Sequence, residues 1–205
     1  MSCPAPIWLA STSPRRRQLL DEAGIAVQVH PPDIDDGTLT PGRVSPPHWV
    51  MSLAYLKARR VAELLSQTEA PPTERLVLAA DTICVDGDVL MGQPRDAAHA
   101  RSMLHALRDH NHHTLSGVCL LTLDHQGHCT SRVLFFDAAQ VRIGALSDDA
   151  IETYLASEQW RGKAGGYNLA DRINAGWPIE CIGDPTTVMG LPMRRLQPLL
   201  SRTTP

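Results

Sequence analysis

Apolar residues along this chain switch between short continuous runs and steps of three and four, the pattern of intermingled strands and helices. Ile7 to Ala10 is an apolar run, followed at once by Ser11-Thr12-Ser13-Pro14-Arg15-Arg16-Arg17. Leu19, Leu20 and Ala23 then recur at helical spacing up to Gly24, with Ser13 placed as N-cap and Pro14 as first helical residue. The opening reads strand, loop, helix. Val27 to Val29 predicts a second strand, and the Asp-, Gly- and Pro-rich stretch from Asp33 to Pro47 an irregular loop. From His48 to about Leu65 the pattern is helical, with Val50, Leu53, Lys57, Val61 and Leu64 on one stripe.

Thr68 to Thr73, containing Pro71-Pro72, reads as a linker. Leu76 to Ala80 is a continuous apolar run ending at Asp81-Thr82, which predicts a buried strand delivering a carboxylate at its C-terminal end. Asp86-Gly87 signals a hairpin between Thr82–Val85 and Val89–Met91. A helix is expected over roughly Asp96 to Leu107, strands over Gly117–Leu123 and Val133–Ile143, and a helix capped by Ser147 running to about Ala156. Trp160 to Met193 reads as loop-rich with a short strand near Ile179–Ile182, and a last helix follows Pro192. No repeat interrupts this order. Residues 1–205 are read as a single α/β domain with a cleft between two lobes.

Composition narrows the class. Hydrophobic residues are 43% and charged residues 20%, as in soluble globular domains, and the net charge of −3 disfavours bulk electrostatic binding to nucleic acid or membrane. No apolar stretch approaches the ~20 residues that span a bilayer. The opening residues lack a basic region followed by an apolar segment, so no signal peptide is expected. The five cysteines are scattered, with no Cys-x-x-Cys, which fits reduced thiols in cytoplasm better than a disulfide framework.

Ser11 to Arg16 combines hydroxyls, backbone N–H groups at a helix start and guanidinium groups, the parts that hold a polyphosphate. The plainer alternative is a capped helix with solvated arginines. Asp81 can coordinate a divalent cation or act as a general base, or simply cap a turn. Asp33, Asp35 and Asp36 form a second acidic cluster in the expected loop. Together these features suggest metal-assisted chemistry on a phosphate ester or anhydride. Lys57 reads as a buried stem carrying its charge to the surface unless its helix lies beside that site. His110, His112 and His113 sit near a helix end without a carboxylate or Cys at ligand spacing and read as surface or turn residues. A Walker loop is excluded at Lys163, and no zinc-protease, serine-hydrolase or dinucleotide-binding motif is present.

Leu9-Ala10-Ser11-Thr12-Ser13-Pro14-Arg15-Arg16 resembles the signature of the Maf family of nucleoside triphosphate pyrophosphatases. The resemblance continues in order through Asp35-Asp36, Leu53 to Ala58, Ala80-Asp81-Thr82, Gly92-Gln93-Pro94, Thr114 to Val118, Lys163 to Tyr167 and Val188 to Pro192. It implies an α/β fold with a long mixed sheet and flanking helices, like that of inosine-triphosphate pyrophosphatases. It also implies a cytoplasmic homodimer that cleaves a nucleoside triphosphate to monophosphate and pyrophosphate with Mg²⁺ or Mn²⁺. Links to sanitation of the nucleotide pool and to arrest of cell division come with it.

Position by position, the resemblance makes Asp81 the catalytic proton acceptor and, with Asp36, a metal ligand. Ser11, Ser13, Arg15, Arg16, Lys57 and Lys163 would hold substrate. Thr82 falls, like Arg16, at or beside positions tied to base choice. Three departures stand out. Gln93 replaces the family's usual Lys and loses a cation while keeping hydrogen-bond donors. Asp36 is one methylene shorter than the usual Glu. Ala170 stands where the dTTP/UTP branch commonly has Gln, although Lys163-Ala164-Gly165 resembles that branch, so a pyrimidine triphosphate is the expected substrate. The competing readings are a nucleotide-binding regulator with weakened catalysis and a phosphatase acting on monoesters.

Overall fold

The structure, a computed structural model, describes residues 7–67 and 74–203; the expected linker Thr68–Thr73 and the side chain of Asp36 lie outside what it describes. Seven strands form a mixed sheet in the order β2-β1-β3-β5-β6-β7, with β4 paired to β3. The strands are β1 (Ile7–Ala10), β2 (Val27–Val29), β3 (Arg75–Asp86), β4 (Val89–Met91), β5 (His110–Leu123), β6 (Cys129–Ile143) and β7 (Ile179–Ile182). β1 is parallel to both β2 and β3, while β3–β4 and β6–β7 are antiparallel. The helices are α1 (Pro14–Glu22), α2 (Pro46–Ser66), α3 (Ala97–Leu107), α4 (Asp148–Ala156), α5 (Leu169–Asn174), α6 (Pro185–Val188) and α7 (Met193–Thr203). The expected mixed α/β class is what the chain adopts. Among the described residues no helix is long and apolar enough to cross a membrane.

Several element boundaries differ from the sequence expectation. β3 does not stop at Asp81: Thr82 to Val85 are largely β-formers that continue the ladder, so Asp81 sits inside a 12-residue strand and the hairpin turn falls on Gly87-Asp88. Pro46 and Pro47 open α2 rather than closing the loop before it, because the first turn of a helix needs no N–H from its residues. β5 begins at His110, so His110, His112 and His113 belong to a strand and not to a turn. The segment after Trp160 holds α5, α6 and a 3-10 turn at Ala164–Gly166.

The chain divides into two compact units. The first comprises residues 1–81, 116–136 and 190–205; the second comprises 82–115 and 137–189. In the first unit, Ala54, Ala58, Val61, Ala62 and Leu65 of α2 pack on Ala10, Val77, Ala79, Cys119 and Leu121. The buried face of α2 is therefore alanine-rich, and Lys57 lies at its edge instead of on its centre line. Small side chains bring helix and sheet close. At Gly117 there is no room for more: a Cβ there would lie 2.4 Å from the carbonyl carbon of Val50 in α2. In the second unit, Trp160, Tyr167, Leu104, Leu107, Ile143, Ile151 and Tyr154 share the core. Each fully buried aliphatic side chain there contributes about 1.5–3 kcal/mol.

Candidate active site

In the first unit the chain leaves β1 through Ser11, whose N–H donates to the Leu9 carbonyl at 3.0 Å. Ser13 occupies the N-cap position of α1 without making a side-chain cap; its own N–H donates instead to Ser11 Oγ at 3.1 Å. Arg16 is buried, and its guanidinium closes the loop, donating from Nη1 to Ser11 Oγ at 3.2 Å and from Nε to the Gly190 carbonyl at 3.0 Å. Arg15 is half-buried and donates to Gln18 Oε1 at 2.9 Å. Arg17 is exposed and faces Asp21 at 3.6 Å. The three consecutive arginines thus divide: one fixes the loop, one flanks it, one faces solvent.

The second component is an ion pair. Lys57 Nζ donates to Asp81 Oδ1 at 2.6 Å, with the side chains 14% and 12% exposed. The surface reading of Lys57 held only if its helix lay away from Asp81, and it gives way because the edge of α2 reaches β3. β1 and β3 are in register with Ala10 opposite Ala79, so Ser11 and Asp81 lie just beyond that pair on adjacent strands. Ser11, Ser13, Arg15, Arg16, Lys57 and Asp81 all belong to the first unit, with the hydroxyls on the loop after β1, the guanidinium groups on α1, the ammonium on α2 and the carboxylate on β3.

Asp36 opens a 3-10 turn, and its side chain lies outside the described residues. Asp33 and Asp35 are exposed. Among the described residues no group of three or more His, Cys, Asp or Glu is arranged to hold a metal ion. The described carboxylate, that of Asp81, is a hard oxygen donor of the type that holds Mg²⁺ or Mn²⁺ when substrate phosphates complete the shell.

Thr82, Gln93 and Lys163 belong to the second unit. Thr82 is half-buried, Gln93 is exposed, and Lys163 is half-buried with Nζ at 3.4 Å from the Arg161 carbonyl. The Lys163–Gly166 turn and the Gly92–Pro94 corner are tied together, since Gly165 N–H donates to the Gly92 carbonyl at 3.1 Å.

The second unit also buries a polar chain, and it corrects the reading of His112 as a surface or turn residue, since that side chain is buried in β5. His112 Nε2 meets the Tyr167 hydroxyl at 2.8 Å, that hydroxyl is also hydrogen-bonded with Thr114, and Thr114 Oγ1 lies 3.5 Å from Cys84 Sγ. Burial pushes the His112 pKa down to about 4, the Cys84 thiol up to about 11, and the Tyr167 phenol well above its ordinary value. All are neutral at pH 7. The signal that could have exposed His112 is the alternation of His112, Thr114 and Ser116 on one face of a strand, hidden by the neighbouring histidines.

Comparison with known proteins identifies the relatives of the chain. A family profile described as Maf-like protein matches residues 6–203. The dTTP/UTP pyrophosphatase of Salinibacter ruber is 38% identical over 196 residues, spanning 96% of this chain and 89% of the relative. The dTTP/UTP pyrophosphatase of Rhizobium meliloti is 39% identical over 197 residues, spanning 94% of this chain and 90% of the relative. A solved nucleoside-triphosphatase, a dITP/XTP pyrophosphatase from Mycobacterium abscessus, is 16% identical with a TM-score of 0.36, covering 69% of this chain and 75% of that one.

Proposed function

This chain belongs to the Maf-like protein family, and from that premise we propose that it hydrolyses a nucleoside triphosphate to the monophosphate and pyrophosphate, with dTTP and UTP as the first substrates to test. The observation that carries the reading is the Lys57–Asp81 pair in the same unit as the Arg16-closed loop. A carboxylate and fixed cationic donors are what attack of water on an anhydride requires.

In this mechanism Ser11, Ser13, Arg15 and Arg16 receive the triphosphate at the start of α1, and Arg16 also keeps the loop in shape. Asp81 accepts the proton of a water that attacks the α-phosphorus. The bond from that phosphorus to the bridging oxygen breaks opposite the entering water, and pyrophosphate departs. Lys57 orients the Asp81 carboxylate and, with Arg15, offsets charge developing on the leaving group. Asp81 and Asp36 would hold Mg²⁺ or Mn²⁺, which supplies neutralisation of the phosphate oxygens when bound. Thr82 and Lys163 are assigned to substrate, as is Gln93, which offers hydrogen bonds where a Lys would offer charge. A homodimer in the cytoplasm belongs to the same proposal, and light scattering on the purified protein tests its oligomeric part.

The deciding experiment incubates the protein with normal and modified nucleoside triphosphates plus Mg²⁺ or Mn²⁺ and separates the products. Monophosphate with pyrophosphate, lost in Asp81→Asn, supports the reading. Orthophosphate alone would replace it with a monoester phosphatase. Tight nucleotide binding without turnover would make the chain a regulator, with Gln93 and Ala170 as the substitutions to revert.

A further inference from the structure

The turn Lys163-Ala164-Gly165-Gly166 is seated in the second unit, with Gly165 and Gly166 buried, Ala164 packed on the core and Lys163 N–H donating to the Trp160 carbonyl at 3.3 Å. Gly165 and Gly166 both lie in the left-handed region, at φ +69 and +77, and neither has a side chain to pack. Gly165 is pressed against β3: a Cβ would sit 2.6 Å from Cys84 Sγ, so no other residue fits without displacing the strand side chain. The large side chain directly after the turn is Tyr167, which shares the core with Ala164. Its ring is 4% exposed and is gripped by His112 in two ways, the 2.8 Å hydrogen bond and an edge-on ring contact with centroids 5.6 Å apart.

His112 is a poor choice for a residue that only fills space. It is 1% exposed, and its Nδ1 is buried with no hydrogen-bond partner among the described residues. Leaving a buried polar atom unpaired costs about 1–3 kcal/mol, whereas an apolar side chain of similar shape would avoid the cost. The imidazole is retained at that cost for its one directional bond, and that bond ends on the residue next to the turn.

We infer that His112 is a positioning residue which, through Tyr167, helps to fix the turn that carries Lys163; the inference rests on the proposed hydrolysis for the role of Lys163 in binding substrate. His112 touches no substrate. Its influence runs from β5 to the Tyr167 hydroxyl, then through the two glycines to the ammonium. Because Lys163 is assigned to binding and not to proton transfer, a misplaced turn weakens substrate capture and leaves the chemical step alone.

Steady-state kinetics of His112→Leu, Tyr167→Phe, the double variant, Lys163→Ala and His112→Gln test this, each beside its melting temperature. The expected result is a KM raised about tenfold in His112→Leu and in Tyr167→Phe with kcat within about twofold. The double variant should be no worse than either single one, and His112→Leu should add nothing to Lys163→Ala. His112→Gln, which can return a donor near Nε2, should recover part of the KM. A lowered melting temperature with KM unchanged, a fall in kcat at constant KM, or additive losses would overturn the inference. If the wild-type protein releases no pyrophosphate, the proposed function fails separately. Amide exchange then decides the positioning role: faster exchange at residues 163–167 in Tyr167→Phe supports it, and unchanged exchange overturns it.

Discussion

Each unit holds a buried polar arrangement, and the two are of opposite kind. The first sets full charges against each other, Lys57 against Asp81, on side chains only 14% and 12% exposed. The second sets a histidine, a tyrosine, a threonine and a cysteine in a row, all neutral at pH 7, with burial holding the histidine uncharged well below that. On the proposed roles, the difference tracks the work. A site that receives a polyanion needs charge already in place and already oriented, because reorganising it during reaction is costly. A support that only has to keep a turn in position gains nothing from charge and would pay heavily to desolvate it.

That contrast can be broken at several points. The largest effect is expected for Asp81→Asn, which keeps size and removes the proton acceptor: pyrophosphate release should fall about a thousandfold with the fold intact. Near-wild-type turnover would strip the charged half of its role. Lys57→Met should cost about 4 kcal/mol in urea unfolding, because it leaves a mostly buried carboxylate without its cation, and adding Asp81→Asn should recover part of the loss.

The neutral half has its own signature in pH. His112 titrates near 4 in the folded protein and at about 6.5 when unfolded, so the unfolded chain binds more protons between those values. Its contribution is complete above about pH 6.5 and is lost as pH falls toward 4, by at most about 3 kcal/mol. Denaturation curves at several pH values should show that slope in the wild type and a shallower one in His112→Leu. The smallest effect is expected where charge is paired but exposed: Arg101→Ala, which breaks the pair with Glu152, should leave the melting temperature unchanged. A marked drop there would mean that pairing matters irrespective of burial.

Much of this was legible in the sequence. β1, β2, β4, β7 and α4 lie where the hydrophobic pattern puts them, and the Ser11–Arg16 loop stands out because hydroxyls, a proline and guanidiniums coincide at a helix start. The Lys57–Asp81 pair was not legible, since it joins residues 24 apart and depends on how closely α2 lies on the sheet. That closeness is set by Ala54, Ala58 and Ala62, residues too small to stand out in a stripe read from Val and Leu. Nor was the buried chain legible: His112 looks like its neighbours until the strand is extended back to include them, and then His113 points to the other face while His110 lies at the exposed strand end.

Gly117 touches neither charge of the ion pair, yet it works as a gauge block between two moving parts. The backbone of Val50 rests directly on it, and Lys57 stands seven residues further along the same rigid rod, about 10 Å away. Any thickness inserted at that contact lifts the rod, and the lift is read out at its far point as a longer gap between ammonium and carboxylate. A graded set of side chains at position 117, from hydrogen to methyl to isopropyl, would therefore act as a vernier on the Lys57–Asp81 spacing.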